Sequence, residues 1–270
     1  MTVLRRVLIF VLAMAATLYL AVFALLAIYQ RDFLFIPDKG PPSPPPADYQ
    51  ARRVAVPNGD SVLVWSIPPA DAREPVFVFF TGNEARITDF APMGERFHAR
   101  GWGVVLASYR GYSGNPGSPS EAGILEDARA VLASLPKYTK LILWGHSLGS
   151  GVAARMASEG RGNGLVLEAA YTSVVNVAAR KYWIYPVRLV ARDPFETEKV
   201  LPKIKIPVLL FHGANDPVVP FDMGQTLAVR FGDQAMFVPV AGGGHVPHQR
   251  DLMPYVIEWL RKTHLRGPHD

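Results

Sequence analysis

Cysteine is absent from the 270 residues, which excludes disulfides and thiolate metal sites and leaves either side of a membrane open as the compartment. Long blocks of one charge are missing too. The formal net charge is +5 and no basic run with interleaved aromatics occurs, so nucleic-acid binding has no support. The glycine-rich loop 109–117 lacks the Lys-Ser/Thr ending of a phosphate loop and the Gly-x-Gly-x-x-Gly of dinucleotide sites, and no His-Glu-x-x-His is present. No cofactor and no metal is therefore expected, and the chemistry must come from the chain's own side chains.

What is there begins with a long apolar run. Val7 to Tyr29 contains no charged residue, with Arg5 and Arg6 before it and Gln30, Arg31 and Asp32 after it. At about 1.5 Å per helical residue it reaches across a hydrocarbon core of roughly 30 Å. The competing reading is a cleaved signal peptide, for which Ala13, Ala15, Ala16, Ala24 and Ala27 offer small residues, but such apolar regions usually run only about 7–15 residues. Residues 1–32 thus read as a transmembrane signal-anchor. Arg5 and Arg6 outweigh Arg31 and the more distant Lys39, so the positive-inside rule puts the N-terminus in the cytoplasm and the remainder of a single-pass chain on the extracytoplasmic side, periplasmic or luminal. Six of the ten residues from Pro37 to Pro46 are proline, and residues 33–50 read as an extended spacer that separates anchor from domain.

Residues 51–264 carry alternating strand and helix signals. Arg53–Val56 and Val62–Ile67 flank Pro57-Asn58-Gly59-Asp60, whose Asn-Gly pair signals an antiparallel hairpin. Short apolar runs follow at Val76–Phe80, Val104–Ala107, Leu141–Trp144, Leu165–Glu168, Ile206–His212 and Phe237–Val240, of the kind that strands buried on both faces need. Helical spacing separates them: a helix is expected over Phe90–Arg100, and another through Ile124, Leu125, Ala128, Val131, Leu132 and Leu135 with Ser118 or Ser120 as its N-cap. Asp127 on that helix reads as a solvated or dipole-facing carboxylate. The whole predicts an α/β fold: a mostly parallel sheet opened by an antiparallel hairpin, with helices on both faces.

The most informative stretch is Leu141 to Ala157. An apolar strand stops at Gly145-His146-Ser147-Leu148-Gly149, and strong helix formers follow without a breaker. Such a strand–turn–helix unit strains its middle residue and exposes it at the sheet's C-terminal edge, which makes Ser147 the candidate nucleophile. Serine needs a base within hydrogen-bond reach and a third group to orient that base. The loop after Ile206–His212 places Asp216 just past a strand end, and Gly242-Gly243-Gly244 brings His245 to the same rim, in the order nucleophile, acid, histidine. His248 is the rival to His245, and Asp193, Asp222 and Asp233 compete with Asp216. His212 reads as a core residue and His146 as pinned inside the turn. For the oxyanion, the backbone N–H groups of Leu148 and of Asn83, in the bend Thr81-Gly82-Asn83-Glu84, are the candidates.

Gly145-His146-Ser147-Leu148-Gly149, Tyr109-Arg110-Gly111-Tyr112, Pro207–Gly213 with Asp216-Pro217-Val218-Val219-Pro220, and Gly244-His245 together resemble the α/β-hydrolase superfamily, and most closely its membrane-anchored Bem46-like branch. Arg31-Asp32-Phe33-Leu34-Phe35-Ile36-Pro37 is similar to that branch's post-anchor segment. The chain departs from it at Thr81-Gly82-Asn83-Glu84-Ala85, where the family often has His-Gly-Asn-Ala-Gly. The resemblance implies a serine hydrolase that cleaves carboxylic esters or thioesters through an acyl-Ser147 intermediate, without a cofactor. Residues 171–205 form the expected cap, short and rich in basic and aromatic side chains, which would either rest on an anionic membrane surface and admit acyl chains or stand as a solvated charged lid. The partners expected are a small-molecule acyl ester or thioester and the membrane, with the oligomeric state left open. Two alternatives stand beside this reading: a peptidase of proline-releasing type on the same fold, and a membrane-tethered scaffold without activity.

Overall fold

Side-chain alternation along the strands explains the layering. In a computed structural model, which describes residues 3–38, 40–41, 43–57, 59–246, 248 and 250–268, β3 (Val76–Phe80) sends Val76, Val78 and Phe80 to one face and Phe77 and Phe79 to the other. β5 (Leu141–His146) does the same, with Leu143 on the first face and Ile142 and Trp144 on the second. A period of two splits each continuous apolar run between two cores, so both faces of the sheet must be covered by helices. α4 (Glu121–Ala133), α5 (Leu148–Ser158) and α6 (Phe221–Phe231) cover the first, through Ile124, Val152 and Leu227. α3 (Ile87–His98) and α7 (Met253–Lys262) cover the second, through Phe90, Phe97 and Trp259.

Among the described residues the sheet has eight strands, in the order Gln50–Ala55 (β1), Ser61–Ile67 (β2), Gly103–Ala107 (β4), β3, β5, Gly164–Glu168 (β6), Val208–Gly213 (β7) and Ala235–Val240 (β8). β1 (Gln50–Ala55) and β2 (Ser61–Ile67) form the expected antiparallel hairpin, and β2 also lies antiparallel to β4 (Gly103–Ala107). Asn58 of its turn lies outside the described residues. β3, β4, β5, β6, β7 and β8 run parallel to one another. Chain order reverses beside β3, and the C-terminal ends of β3, β5, β7 and β8 open onto one rim, where ligand sites form in such sheets.

Some boundaries differ from the sequence reading, for local reasons. α3 starts at Ile87, three residues early, because the Asp89 carboxylate accepts the Arg86 N–H at 2.8 Å and caps the first turn. Ser120, and not Ser118, caps α4 by accepting the Gly123 N–H at 3.1 Å. Asp127 is fully buried instead of solvated: its oxygens take the Arg110 backbone N–H at 2.8 Å and the Arg110 guanidinium at 2.7–3.1 Å. A buried charge persists only when paired in this way, and the pair fixes the Tyr109-Arg110-Gly111-Tyr112 loop on α4.

α1 (Val3–Ile28) is the one helix among the described residues that is long and apolar enough to cross a membrane, and none of its residues is buried. The short helix α2 (Gln30–Leu34) follows at once. The segment after it does not stand off as a spacer at its start, because Phe35 is buried against Phe195 with ring centroids 6.4 Å apart, and Asp38 pairs with Arg86. Lys39 and Pro42 lie outside the described residues.

Candidate active site

Backbone geometry builds the nucleophile position. β5 ends at His146 and α5 begins at Leu148, so a single residue turns the chain, and Ser147 does so at φ 50° and ψ −119°. A non-glycine residue at that φ is strained. The flanking glycines are steric necessities: a Cβ on Gly145 would sit 2.2 Å from the Gly149 carbonyl oxygen, and one on Gly149 would sit 2.1 Å from that of Phe80. The Ser147 N–H donates to the Glu168 carbonyl oxygen at 2.9 Å, which holds the turn against the end of β6.

The loop after β8 delivers His245. It crosses the loop after β7 so closely that a Cβ on Gly213 would lie 2.1 Å from the Gly244 carbonyl oxygen, and the Asn215 N–H donates to that of Gly243 at 2.9 Å. The crossing sets His245 Nδ1 at 3.0 and 2.9 Å from the two carboxylate oxygens of Asp216, and His245 Nε2 at 2.9 Å from Ser147 Oγ. With its Nδ1–H donated to Asp216, the imidazole has an unprotonated Nε2 facing the serine hydroxyl, the tautomer a general base requires. Asp193, Asp222 and Asp233 do not share this geometry: Asp193 pairs with Arg31, Asp222 with Arg180, and Asp233 lies in the one-turn helix Gly232–Gln234.

The Asp216 side chain has no solvent exposure. Burial by itself would raise its pKa, but hydrogen bonds from His212 and His245 and from the Val218 N–H reverse this and hold the carboxyl well below the usual range. Asp216 Oδ1 also takes the Val219 N–H at 2.9 Å, while His212 Nε2 lies 3.0 Å from the Val219 carbonyl oxygen and 3.5 Å from Asp216 Oδ2. His212, which reads from sequence as a core residue, is buried and also braces the acid.

The bend 81–84 lies against the nucleophile, since a Cβ on Gly82 would be 3.4 Å from Ser147 Cβ and 2.8 Å from His146 Nδ1. The Asn83 side chain faces elsewhere: its Oδ1 accepts the Ile36 N–H at 3.0 Å and the Tyr112 hydroxyl at 3.1 Å. Leu148 is the first residue of α5, so its N–H belongs to the turn that has no helical acceptors and carries the positive end of the helix dipole. Tyr171, three residues after β6, donates its hydroxyl to the Leu148 carbonyl oxygen at 3.0 Å.

Sequence reasoning missed a second cluster. Glu168 at the end of β6 is fully buried and accepts the Trp144 indole N–H at 3.1 Å, the His248 backbone N–H at 2.5 Å and His248 Nδ1 at 2.8 Å. His248 is therefore not a rival base but the partner of a buried acid. Burial favours a neutral Glu168, yet the charge and hydrogen bond of His248 prevail and bring its pKa down to about 2. Burial likewise works against the His248 cation, and the Glu168 carboxylate overcomes it and raises that pKa. Beside them, burial lowers His146 to about 4, so its ring is neutral, with Nε2–H donated to the His245 carbonyl oxygen at 3.0 Å. One donor atom from each of His146, Glu168 and His248 lies within 4.8 Å of the others, a set that could gather a metal ion. Glu168 Oε1 is already engaged twice by His248, and the cluster reads better as an ion pair that ties the His245 loop to β6.

The chain is similar to known hydrolases in sequence and in fold. Residues 71–192 match the Hydrolase_4 family, described as serine aminopeptidase S33, and residues 177–265 match the family of TAP-like proteins. An uncharacterized Mycobacterium tuberculosis protein is 30% identical over 95% of this chain and 96% of its own. Protein bem46 of Schizosaccharomyces pombe is 30% identical over 60% of this chain and 57% of its own. The zebrafish (Danio rerio) lysophosphatidylserine lipase ABHD12 is 30% identical over 63% of this chain and 52% of its own. Among solved structures, the Pyrococcus furiosus esterase Pf2001 superposes with a TM-score of 0.68 at 18% identity, over 84% of this chain and 97% of that one.

Proposed function

This chain belongs to the Bem46-like α/β-hydrolases, and on that premise we propose that it is a membrane-anchored serine hydrolase cleaving carboxylic esters or thioesters through an acyl-Ser147 intermediate. The observation that carries the reading is the continuous path Ser147 Oγ, His245 Nε2, His245 Nδ1 and Asp216, with contacts of 2.9–3.0 Å. His245 takes the Ser147 proton as Oγ attacks the acyl carbon, then returns it to the departing alkoxide or thiolate. Asp216 stays ionised and stabilises the imidazolium. The N–H groups of Leu148 and Asn83 receive the oxyanion, a role supported by the closeness of the 81–84 bend to Ser147. Water, activated by the same histidine, then releases the acid.

In this reading residues 1–32 are the anchor, 33–50 the connection, 51–264 the catalytic domain and 171–205 its cap. Arg5 and Arg6 stay in the cytoplasm and the domain faces the extracytoplasmic side. A glycerolipid or lysophospholipid ester suits a membrane-tethered enzyme, and the lipase activity in the name of one relative supports that class.

A second reading has one observation behind it, the aminopeptidase description of the family matching residues 71–192. Parallel assays of a 4-nitrophenyl acyl ester and a proline 4-nitroanilide separate the two. Ester turnover that exceeds anilide turnover at least about a hundredfold supports the esterase; the reverse order establishes the peptidase.

A further inference from the structure

The cap is not a free lid. Tyr19, in the third turn from the C-terminal end of α1, donates its hydroxyl to the Ile184 carbonyl oxygen at 2.8 Å and stacks on Tyr185 with ring centroids 4.9 Å apart. Phe23, one turn further on, stacks on the same ring at 6.2 Å. Gln30 donates to the Val190 carbonyl oxygen at 3.0 Å and accepts the Arg192 N–H at 2.7 Å, and Arg31 pairs with Asp193, whose side chain is 3% exposed. The cap segment 184–193 thus touches the last turns of α1 at Ile184 and Tyr185 and α2 at Val190, Arg192 and Asp193. Tyr19 is nine residues before Ile28, so the contact reaches about 14 Å back along the helix.

Ordinary soluble packing does not account for the outer side of that segment. Trp183 is 81% exposed, Leu189 83% and Ile184 49%, on a stretch whose other side touches α1. Lys181, Arg188 and Arg192 are exposed around them. Large apolar side chains amid cations, continuous with an apolar helix, have the composition of an interfacial element, whose apolar groups enter about 5–10 Å below the headgroups while Lys and Arg stay at their level. Arg188 donates to Asn176 and Lys181 lies over the Tyr182 ring, so both are held near the tip.

We propose that the cap tip, residues 182–190, is inserted in the same membrane leaflet from which α1 emerges, so that α1 and the cap form one lipid-embedded unit that presents membrane-resident acyl esters to Ser147. The proposal rests on the anchor reading above and adds an orientation to it. Hydrogen bonds tie the residues beside this unit to the candidate site: the Ile36 N–H donates to Asn83 Oδ1 at 3.0 Å, and the Tyr171 hydroxyl donates to the Leu148 carbonyl oxygen at 3.0 Å.

The chain supplies its own probe, because Trp65, Trp102, Trp144 and Trp259 are at most 2% exposed and Trp183 is 81% exposed. The full-length protein is reconstituted in phosphatidylcholine vesicles whose acyl chains are brominated near the headgroup, floated after an alkaline carbonate wash, and its tryptophan emission recorded. The proposal expects the chain to float and its emission to be quenched, with the quenching lost in Trp183→Phe. Floating protein with unquenched emission overturns the proposal and leaves the anchor intact; if that protein is also a dimer in the vesicles, a second copy covers the tip instead. Protein stripped off by the wash overturns the anchor and the proposal together. A second readout is the Trp183→Ser/Leu189→Ser variant, expected to lose about tenfold in turnover of a vesicle-borne monoacyl ester while keeping its rate on a water-soluble short-chain ester. Equal loss on both substrates marks damage to the fold and counts against the proposal.

Discussion

Ser147 holds a backbone conformation at φ 50° that glycine would adopt without strain, and that strain is worth roughly 1–3 kcal/mol. Ser147→Gly should therefore raise the thermal midpoint by a few degrees, about 2–4 °C per kcal/mol for a chain of this size, while abolishing hydrolysis. A midpoint that falls would show that the turn is not strained as described. Asp216→Asn keeps the shape of the acid but no longer holds the imidazole in the required tautomer, and the rate should drop about 10⁴-fold. A loss of tenfold or less would mean that His212 or the loop alone orients His245. These three positions were legible in the sequence because each lies at a strand end with a glycine turn beside it, and local pattern is what a sequence displays. Glu168, His212 and Asp127 were not. Their roles come from partners brought together by the sheet, His248 for Glu168 across 80 positions and Arg110 for Asp127 across 17, and no periodicity marks such pairs.

At the scale of elements, the Glu168–His248 pair is the strut between β6 and the loop that carries His245. Removing the charge from one side of a buried pair strands the other, typically at about 3–5 kcal/mol, so Glu168→Gln should lower stability by an amount of that order. It should also slow acylation of Ser147 more than it weakens substrate binding, because the loop it frees carries the base. A rise in KM with unchanged kcat would contradict this. The pH dependence follows from the signs. Glu168 has a folded pKa of about 2, below its unfolded value of about 4.3, so its contribution is complete above the unfolded value and is lost as pH falls through that window. His248 has a raised pKa, so its contribution is present below the ordinary histidine range and disappears as pH rises through the folded value. Thermal midpoints measured from pH 2 to 9 should fall at both ends in the parent and lose most of that curvature in the Glu168→Gln/His248→Gln double variant. The strands and helices that hold this strut follow from apolar runs and their period, as in β3 with its alternating Val and Phe. The helix start at Ile87 was harder to read, because Asp89 caps Arg86 through a side chain that pattern does not reveal.

For the whole molecule, α1 touches the segment after β6 through Tyr19 and Phe23, where the prolines of 37–46 suggested a spacer. Proline content reports stiffness and says nothing of what a neighbouring Phe35 or Gln30 will dock against. Because the chain has no cysteine, the arrangement can be checked without background: Tyr19→Cys with Ile184→Cys should be joined by a short bismaleimide in the membrane-reconstituted protein, and Leu8→Cys with Ile184→Cys should not. Equal cross-linking of both pairs would mean that the helix samples the cap at random. The central claim, an activated Ser147, has a more direct test. The full-length protein in detergent is treated with a fluorophosphonate, beside Ser147→Ala and Asp216→Asn. The account predicts rapid labelling of the parent, none of Ser147→Ala and greatly slowed labelling of Asp216→Asn; a folded parent that fails to label, or a Ser147→Ala variant that labels as the parent does, would contradict it.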